Sequence, residues 1–139
     1  MRVMALDVGK KRIGIAISDP LWITAQGLDT YYRKSLENDI EHYRDLIKQH
    51  DVGKLIIGLP KRLNGEIGQA AEEITAYAKE LEKALGIQVE MFDERMTSAA
   101  ANRILIDSDV KRRKRKQAVD RMAAMIILQD YMESHRHEG

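Results

Sequence analysis

The chain has 139 residues, with 23 Lys and Arg against 22 Asp and Glu and no cysteine. That length suits a single domain over residues 1–139 with a core of its own; the cysteine count excludes a disulfide framework or a thiolate metal site and fits a reducing, cytoplasmic compartment. The net charge of +1 hides an asymmetry, because KRRKRK at 111–116 holds six basic residues while the other 17 face 22 acids.

The first apolar run, VMALDVG, ends on Asp7 and Gly9 and is followed by Lys10, Lys11 and Arg12. These charges interrupt the only apolar N-terminal stretch, so no signal peptide is expected, and no window approaches a membrane span. The apolar pattern resumes as Ile13, Ile15 and Ile17, alternating with Gly14, Ala16 and Ser18. A period of two with small residues on one side predicts a strand packed closely against something on that side. Residues 2–8 and 12–18 read as a tight hairpin with Asp7 near the tip of its first strand, as a turn-former or as a ligand. Asp19 ends the second strand as a further candidate acid, suited to a turn or a supporting role.

Residues 22–31 carry β-formers and predict a third strand. Leu36, Ile40, Tyr43, Leu46 and Ile47 follow at helical spacing over 36–50. LIIGLP at 55–60 reads as a short buried parallel strand stopped by Gly58 and Pro60. A polar loop with Asn64 and Gly65 precedes a helix over about 68–85, for which Gly86 is a suitable C-terminal cap. IQVEMF at 87–92 predicts a strand leading into Asp93, Glu94 and Arg95. Thr97 or Ser98 can cap a helix to about Ile106, and the basic run leads into a last helix over 117–134. Hairpin strands followed by α-β-α-β-α-α predict an α/β fold, a mixed sheet with helices on both faces. Sites in such sheets form at C-terminal strand ends, where Asp7 and the Asp93–Glu94 pair fall.

On the last helix, 100° per residue puts Asp120 on one face with Ala123, Ala124, Ile127 and Tyr131. A carboxylate in an apolar stripe is costly unless paired, protonated or bound to metal. The plain alternative is an i, i+4 ion pair with Lys116, in the less favourable base-before-acid order. Asp7, Glu94 and Asp120 form a possible oxygen-ligand set suited to Mg²⁺ or Mn²⁺, with substrate phosphates completing the shell. The histidines, His42, His50, His135 and His137, fall on helical outer faces or in the tail, which disfavours hydrolysis through a protein nucleophile. A metal-activated water attacking a phosphodiester fits both the acids and the basic segment, although a solvated charge run remains the bland reading of the latter.

ALDVGKKRIGIAISD, IIGLPKRLNGEIGQAA, FDERMTSAAA and KQAVDRMAAMIILQDY, in that order and over nearly the whole chain, resemble the YqgF/RuvX family of RNase-H-like nucleases. The resemblance implies an RNase-H-like mixed five-stranded sheet with helices on both faces, and a cytoplasmic hydrolase acting on phosphodiester bonds. It implies that Asp7, Glu94 and Asp120 are catalytic and bind Mg²⁺ or Mn²⁺, and that Gly58, Leu59, Pro60, Asn64 and Gly65 line the substrate groove. The accompanying candidates for nucleic-acid contact are Lys10, Lys11, Arg12, Arg95, Lys111, Arg112, Arg113, Lys114, Arg115 and Lys116. Arg95 equally suits an ion pair with Asp93, and Gly58–Pro60 also suits plain strand-to-helix punctuation.

The implied substrate is the 5′ end of precursor 16S rRNA, with the assembling ribosomal subunit as a partner and branched DNA, the Holliday junction, as the second choice. No membrane partner is expected, and the chain is expected to be a monomer or a weak homodimer. One departure matters: RuvC-type resolvases, similar in layout, carry a second acid one turn further along the last helix, where this chain has Ala123 and Ala124. That weakens junction resolution and any second metal site. Two rivals remain. Asp-x-Gly before a glycine-containing strand also resembles the phosphate hairpin of sugar kinases and chaperone ATPases, which need well over twice this length. A non-catalytic RNA- or ribosome-binding assembly factor would keep the same fold. With one Trp, one Phe and five Tyr, recognition is expected to rest on backbone charge and shape.

Overall fold

The computed structural model describes residues 1–9, 11–59, 68–93 and 112–136, with backbone alone at 59, 69–70, 93, 112–120 and 136. The alternating isoleucines form the expected hairpin: β1 (Arg2–Val8) and β2 (Arg12–Ser18) pair antiparallel, with Met4 opposite Ile17 and Asp7 opposite Gly14. β3 (Ala25–Tyr32) adds antiparallel to β2, and α1 (Leu36–His50) crosses back to β4 (Val52–Leu59). β4 lies parallel to β1, and α2 (Gln69–Leu85) then connects to β5 (Gln88–Asp93), parallel to β4. α3 (Arg112–Arg136) is the last element described. The order β3-β2-β1-β4-β5 is a five-stranded mixed sheet.

Strand alternation divides the core into two layers. Met4, Leu6, Ile13, Ile15, Ile17, Leu55 and Ile57 point to one face and pack with Tyr43 of α1 and Ile74, Tyr77, Ala78 and Leu81 of α2. Val3, Ala5, Ala16 and Ile56 point to the other and pack with Ala124, Ile127, Leu128, Tyr131 and Met132 of α3. Helices therefore cover both faces. The small residues at alternate positions explain how closely α3 approaches: a β-carbon on Gly27 would lie 3.2 Å from Met125 Sδ and 3.4 Å from Arg121 Cβ.

Three boundaries differ from expectation. β3 begins at Ala25 rather than at 22, because the Asp19 carboxylate accepts hydrogen bonds from the amides of Leu21 (3.2 Å), Ile23 (2.6 Å) and Thr24 (2.8 Å) and winds 19–24 into a turn. Trp22 sits in that turn at φ 60°, a left-handed conformation, with its indole N–H donating to Met1 O at 2.9 Å. β4 begins at Val52, three residues early, because Val52 and Lys54 already pair with Arg2 and Val3. α3 is helical from at least Arg112, so five residues of the basic run lie within the helix rather than before it. Lys and Arg are good helix formers, which apolar periodicity does not register. The helix expected from Thr97 or Ser98 to about Ile106 lies outside the described residues. No described helix is long and apolar enough to cross a membrane.

Candidate active site

Asp7 occupies the C-terminal end of β1. Its parity with Val3 and Ala5 turns it to the α3 face of the sheet, where it is half-buried. Gly14 stands opposite it on β2, and Gly58 follows one step beyond the Leu6–Ile57 pairing on β4. The carboxylate is thus bracketed by two residues without side chains. Beyond Asp7 the chain turns through Gly9, whose amide donates to Arg12 O at 2.9 Å. A β-carbon on Gly9 would come within 2.8 Å of that same carbonyl, so glycine is required there by the turn itself.

On α3, Ala123, Ala124, Ile127 and Tyr131 are all fully buried. Position 120 precedes Ala123 and Ala124 by one turn and Ile127 by two, which places it on the sheet-facing side of the helix. At the sheet edge, β5 ends at Asp93, paired with Leu59, and Phe92 is paired with Gly58. Phe92 joins the α3-facing cluster, and Glu94 is the residue two along the chain from it. Glu94, Arg95, Lys10, Pro60, Asn64 and Lys111 lie outside the described residues, as do the side chains of Arg112, Arg113, Lys114, Arg115, Lys116 and Asp120. Among the described side chains no group of three His, Cys, Asp or Glu could hold a metal ion, since only Asp7 of the three expected acids belongs to that set.

Other expected residues have clear roles. Asp19 is a turn-former: the Thr24 amide foremost, opposed by desolvation and helped by the Ile23 and Leu21 amides, holds its carboxyl below the usual range. His42 is half-buried rather than on an outer face, stacked on Tyr31 at 4.1 Å and bonded to Asp29 Oδ2 at 3.1 Å. His135 packs against Tyr131 with ring centroids 3.9 Å apart and the planes tilted by 37°.

Two polar networks had no signal in the sequence. At the tip of the Asp7 hairpin, Arg33 Nη1 donates to Gly9 O at 2.8 Å, and the Arg33 guanidinium lies 4.9 Å over the Tyr77 ring. Its Nε is 3.6 Å from Asp39 Oδ2, which accepts from the Tyr77 hydroxyl at 2.9 Å; Tyr77 and Tyr43 hydroxyls are 2.8 Å apart. One guanidinium therefore ties the turn after Asp7 to both α1 and α2. At the opposite strand ends, Lys54 pairs with Glu90 at 2.9 Å and donates to the Tyr131 hydroxyl, fixing the far half of α3 to β4 and β5. Against the desolvation that would raise it, the Lys54 ammonium keeps the Glu90 carboxyl below its usual range.

The strand order, the antiparallel β2 and the helices on both faces define the RNase-H-like class. Two solved structures share the arrangement: T. thermophilus RuvC in complex with a Holliday junction substrate, at TM-score 0.57 and 11% identity over 98% of this chain and 96% of that one, and the fowlpox virus Holliday junction resolvase, at 0.58 and 18% over 97% and 99%. At those identities the likeness concerns the fold. The family model described as "RuvX: Holliday junction resolvase" matches residues 1–134, and the chain belongs to that family. Relatives named "Putative pre-16S rRNA nuclease" are 46% identical in Moorella thermoacetica, over 100% of this chain and 99% of that one. The same name is carried by a relative in Shouchella clausii, 48% identical over 99% and 98%.

Proposed function

We propose that this chain is a metal-dependent nuclease that hydrolyses phosphodiester bonds at Asp7, Glu94 and Asp120, and that its substrate is the 5′ end of precursor 16S rRNA in the cytoplasm. The observation that carries the site is Asp7, a half-buried carboxylate at a strand end, turned toward α3 and bracketed by Gly14 and Gly58. Its donor chemistry fits a hard cation: the chain has no thiolate to offer, and the three acids supply oxygen only. Asp7, Glu94 and Asp120 would hold Mg²⁺ or Mn²⁺, which supplies activation of water and neutralisation of charge on the phosphate.

The chain's own residues do the rest. The glycines beside Asp7 leave room for a phosphate to approach the strand backbone. The Gly9 turn and the Arg33 clamp hold Asp7 at a fixed height above the sheet end, and such positioning of reacting groups is worth several orders of magnitude in rate. The cations of α3's first turns attract the polyanion.

Substrate choice rests on the relatives' names and on one structural detail. The turn after position 120 holds Ala123 and Ala124, both fully buried, where a junction resolvase of RuvC type is expected to carry another acid. The family description keeps four-way DNA junctions as the second reading. Incubating the protein with precursor 16S rRNA and with a four-way junction side by side separates them: trimming of the rRNA 5′ end with an intact junction supports the first, and paired nicks in the junction with intact rRNA supports the second.

A further inference from the structure

Among the described residues, Asp39 in the first turn of α1 is the one carboxylate that is fully buried, at 1% exposure. It lies in the α1–α2 layer, across the sheet from the face to which Asp7 turns. Burying a carboxylate is costly, and its cationic partner compensates only in part. Arg33 Nε stands 3.6 Å from Asp39 Oδ2, close enough for an ion pair and too far for a hydrogen bond. Exchanging such a pair for apolar groups is often neutral or even stabilising. Stability alone therefore does not account for Asp39.

What the carboxylate does is give a guanidinium its direction. Arg33 is held on three sides: Nε faces Asp39, the guanidinium carbon lies 4.9 Å over the Tyr77 ring, and Nη1 donates to Gly9 O at 2.8 Å. The Tyr77 hydroxyl donates to Asp39 Oδ2 at 2.9 Å, so the ring and the carboxylate are fixed to each other. The Arg33 amide donates in turn to Lys11 O at 2.9 Å. One residue thus grips the β1–β2 turn on both sides, at Gly9 through its side chain and at Lys11 through its backbone. Gly9 is two residues beyond Asp7, and its own amide is bonded to Arg12 O. Lysine is no substitute for Arg33, because a single ammonium on a flexible stem does not meet carboxylate, ring and carbonyl together.

We propose that Asp39 is a positioning residue for Asp7, acting from the other side of the sheet through Arg33 and the Gly9 turn. Without the carboxylate the guanidinium loses its direction, the Gly9 carbonyl is released, and Asp7 is no longer presented at one height. The proposal rests on the nuclease reading for what Asp7 does. It extends that reading to a buried residue in the opposite helix layer.

Amide hydrogen exchange of the metal-free protein, read by NMR at Gly9, tests the link without any turnover. Asp39→Asn and Arg33→Lys should each speed exchange at Gly9 about tenfold or more relative to the core amides of Met4 and Ile15. In single-turnover cleavage of precursor 16S rRNA with Mg²⁺, each should lower the rate about tenfold or more and leave RNA affinity within twofold. A misplacement of about 1 Å is enough for losses of that order. Because Asp39 acts through Arg33, adding Asp39→Asn to Arg33→Lys should change neither readout further. Arg44→Ala removes a 3.2 Å bond from α1 to Ala84 O, at the other end of the helix pair, and should leave both readouts within twofold. Unchanged exchange at Gly9 in both variants overturns the link. Faster exchange with undiminished cleavage overturns the positioning role, and the nuclease reading stands. Additive losses in the double variant overturn the route through Arg33. A wild type that cleaves no RNA overturns the nuclease reading and, with it, the role assigned to Asp39.

Discussion

Asp7 stands directly opposite Gly14 in the hairpin register, so its nearest cross-strand neighbour on the α3 face has no side chain. A carboxylate placed this way at a strand end is open to a bulky anion. Asp7→Asn keeps the shape and removes the charge. Folding and nucleic-acid binding should persist, while cleavage should fall about 100-fold or more, as expected when several kcal/mol of charge stabilisation are lost. Single-turnover cleavage measured beside a binding titration checks this; lost binding in a folded variant would move Asp7 from catalysis to recognition.

Asp120 should set function against stability. Position 120 lies on the sheet-facing side of α3, one turn before two buried alanines. If Asp7, Glu94 and Asp120 converge there without metal, each carboxylate disfavours ionisation of the others. Asp120→Asn should then make the metal-free protein as stable as wild type or more so, by about 0.5–2 kcal/mol. It should also lose most activity and gain less in Tm from added Mg²⁺ or Mn²⁺. A destabilised but active variant would instead assign Asp120 to an ion pair with Lys116.

The helical start of α3 sharpens what the basic run can do. At 100° per residue, Arg113 and Lys116 fall within about 20° and 40° of Asp120 around the axis, whereas Arg115 falls about 140° away. Arg113→Ala with Lys116→Ala should flatten the salt dependence of single-strand binding by about 1.4, and Arg115→Ala should leave it unchanged. Equal small effects from all three would mark the run as a solvated face.

The Tyr43–Tyr77–Asp39 network gives a pH signature. Burial chiefly, with the Asp39 carboxylate adding to it, pushes the Tyr77 phenol well above its ordinary value near 10, and Tyr43 is raised in the same way. A raised phenol contributes stability that is complete below about pH 10 and is lost as pH climbs through the folded values. Tm should therefore fall steeply above about pH 10. Tyr77→Phe leaves Asp39 and Tyr43 without their shared partner and should cost about 1–3 kcal/mol at neutral pH. Its melting temperature should depend less on alkaline pH, which a Tm series of both proteins measures.

Much of this was legible because it is local. Ile13, Ile15 and Ile17 alternating with Gly14, Ala16 and Ser18 announced a strand with a close neighbour on one side, and α3 is that neighbour. The stripe Ala123, Ala124, Ile127 and Tyr131 announced a buried helix face. α1 and Gly86, in a left-handed cap at φ 70°, fell where spacing and cap chemistry put them. What escaped was long-range. Arg33, Asp39 and Tyr77 meet across two helices, and Lys54 meets Tyr131 from 77 positions away; no periodicity encodes such pairs.

The most direct test of the central claim is cleavage of precursor 16S rRNA by protein stripped with EDTA and then returned to Mg²⁺ or Mn²⁺. A carboxylate site built on Asp7 predicts no 5′-end trimming in EDTA and full recovery when either ion is restored. Undiminished turnover in EDTA would contradict it.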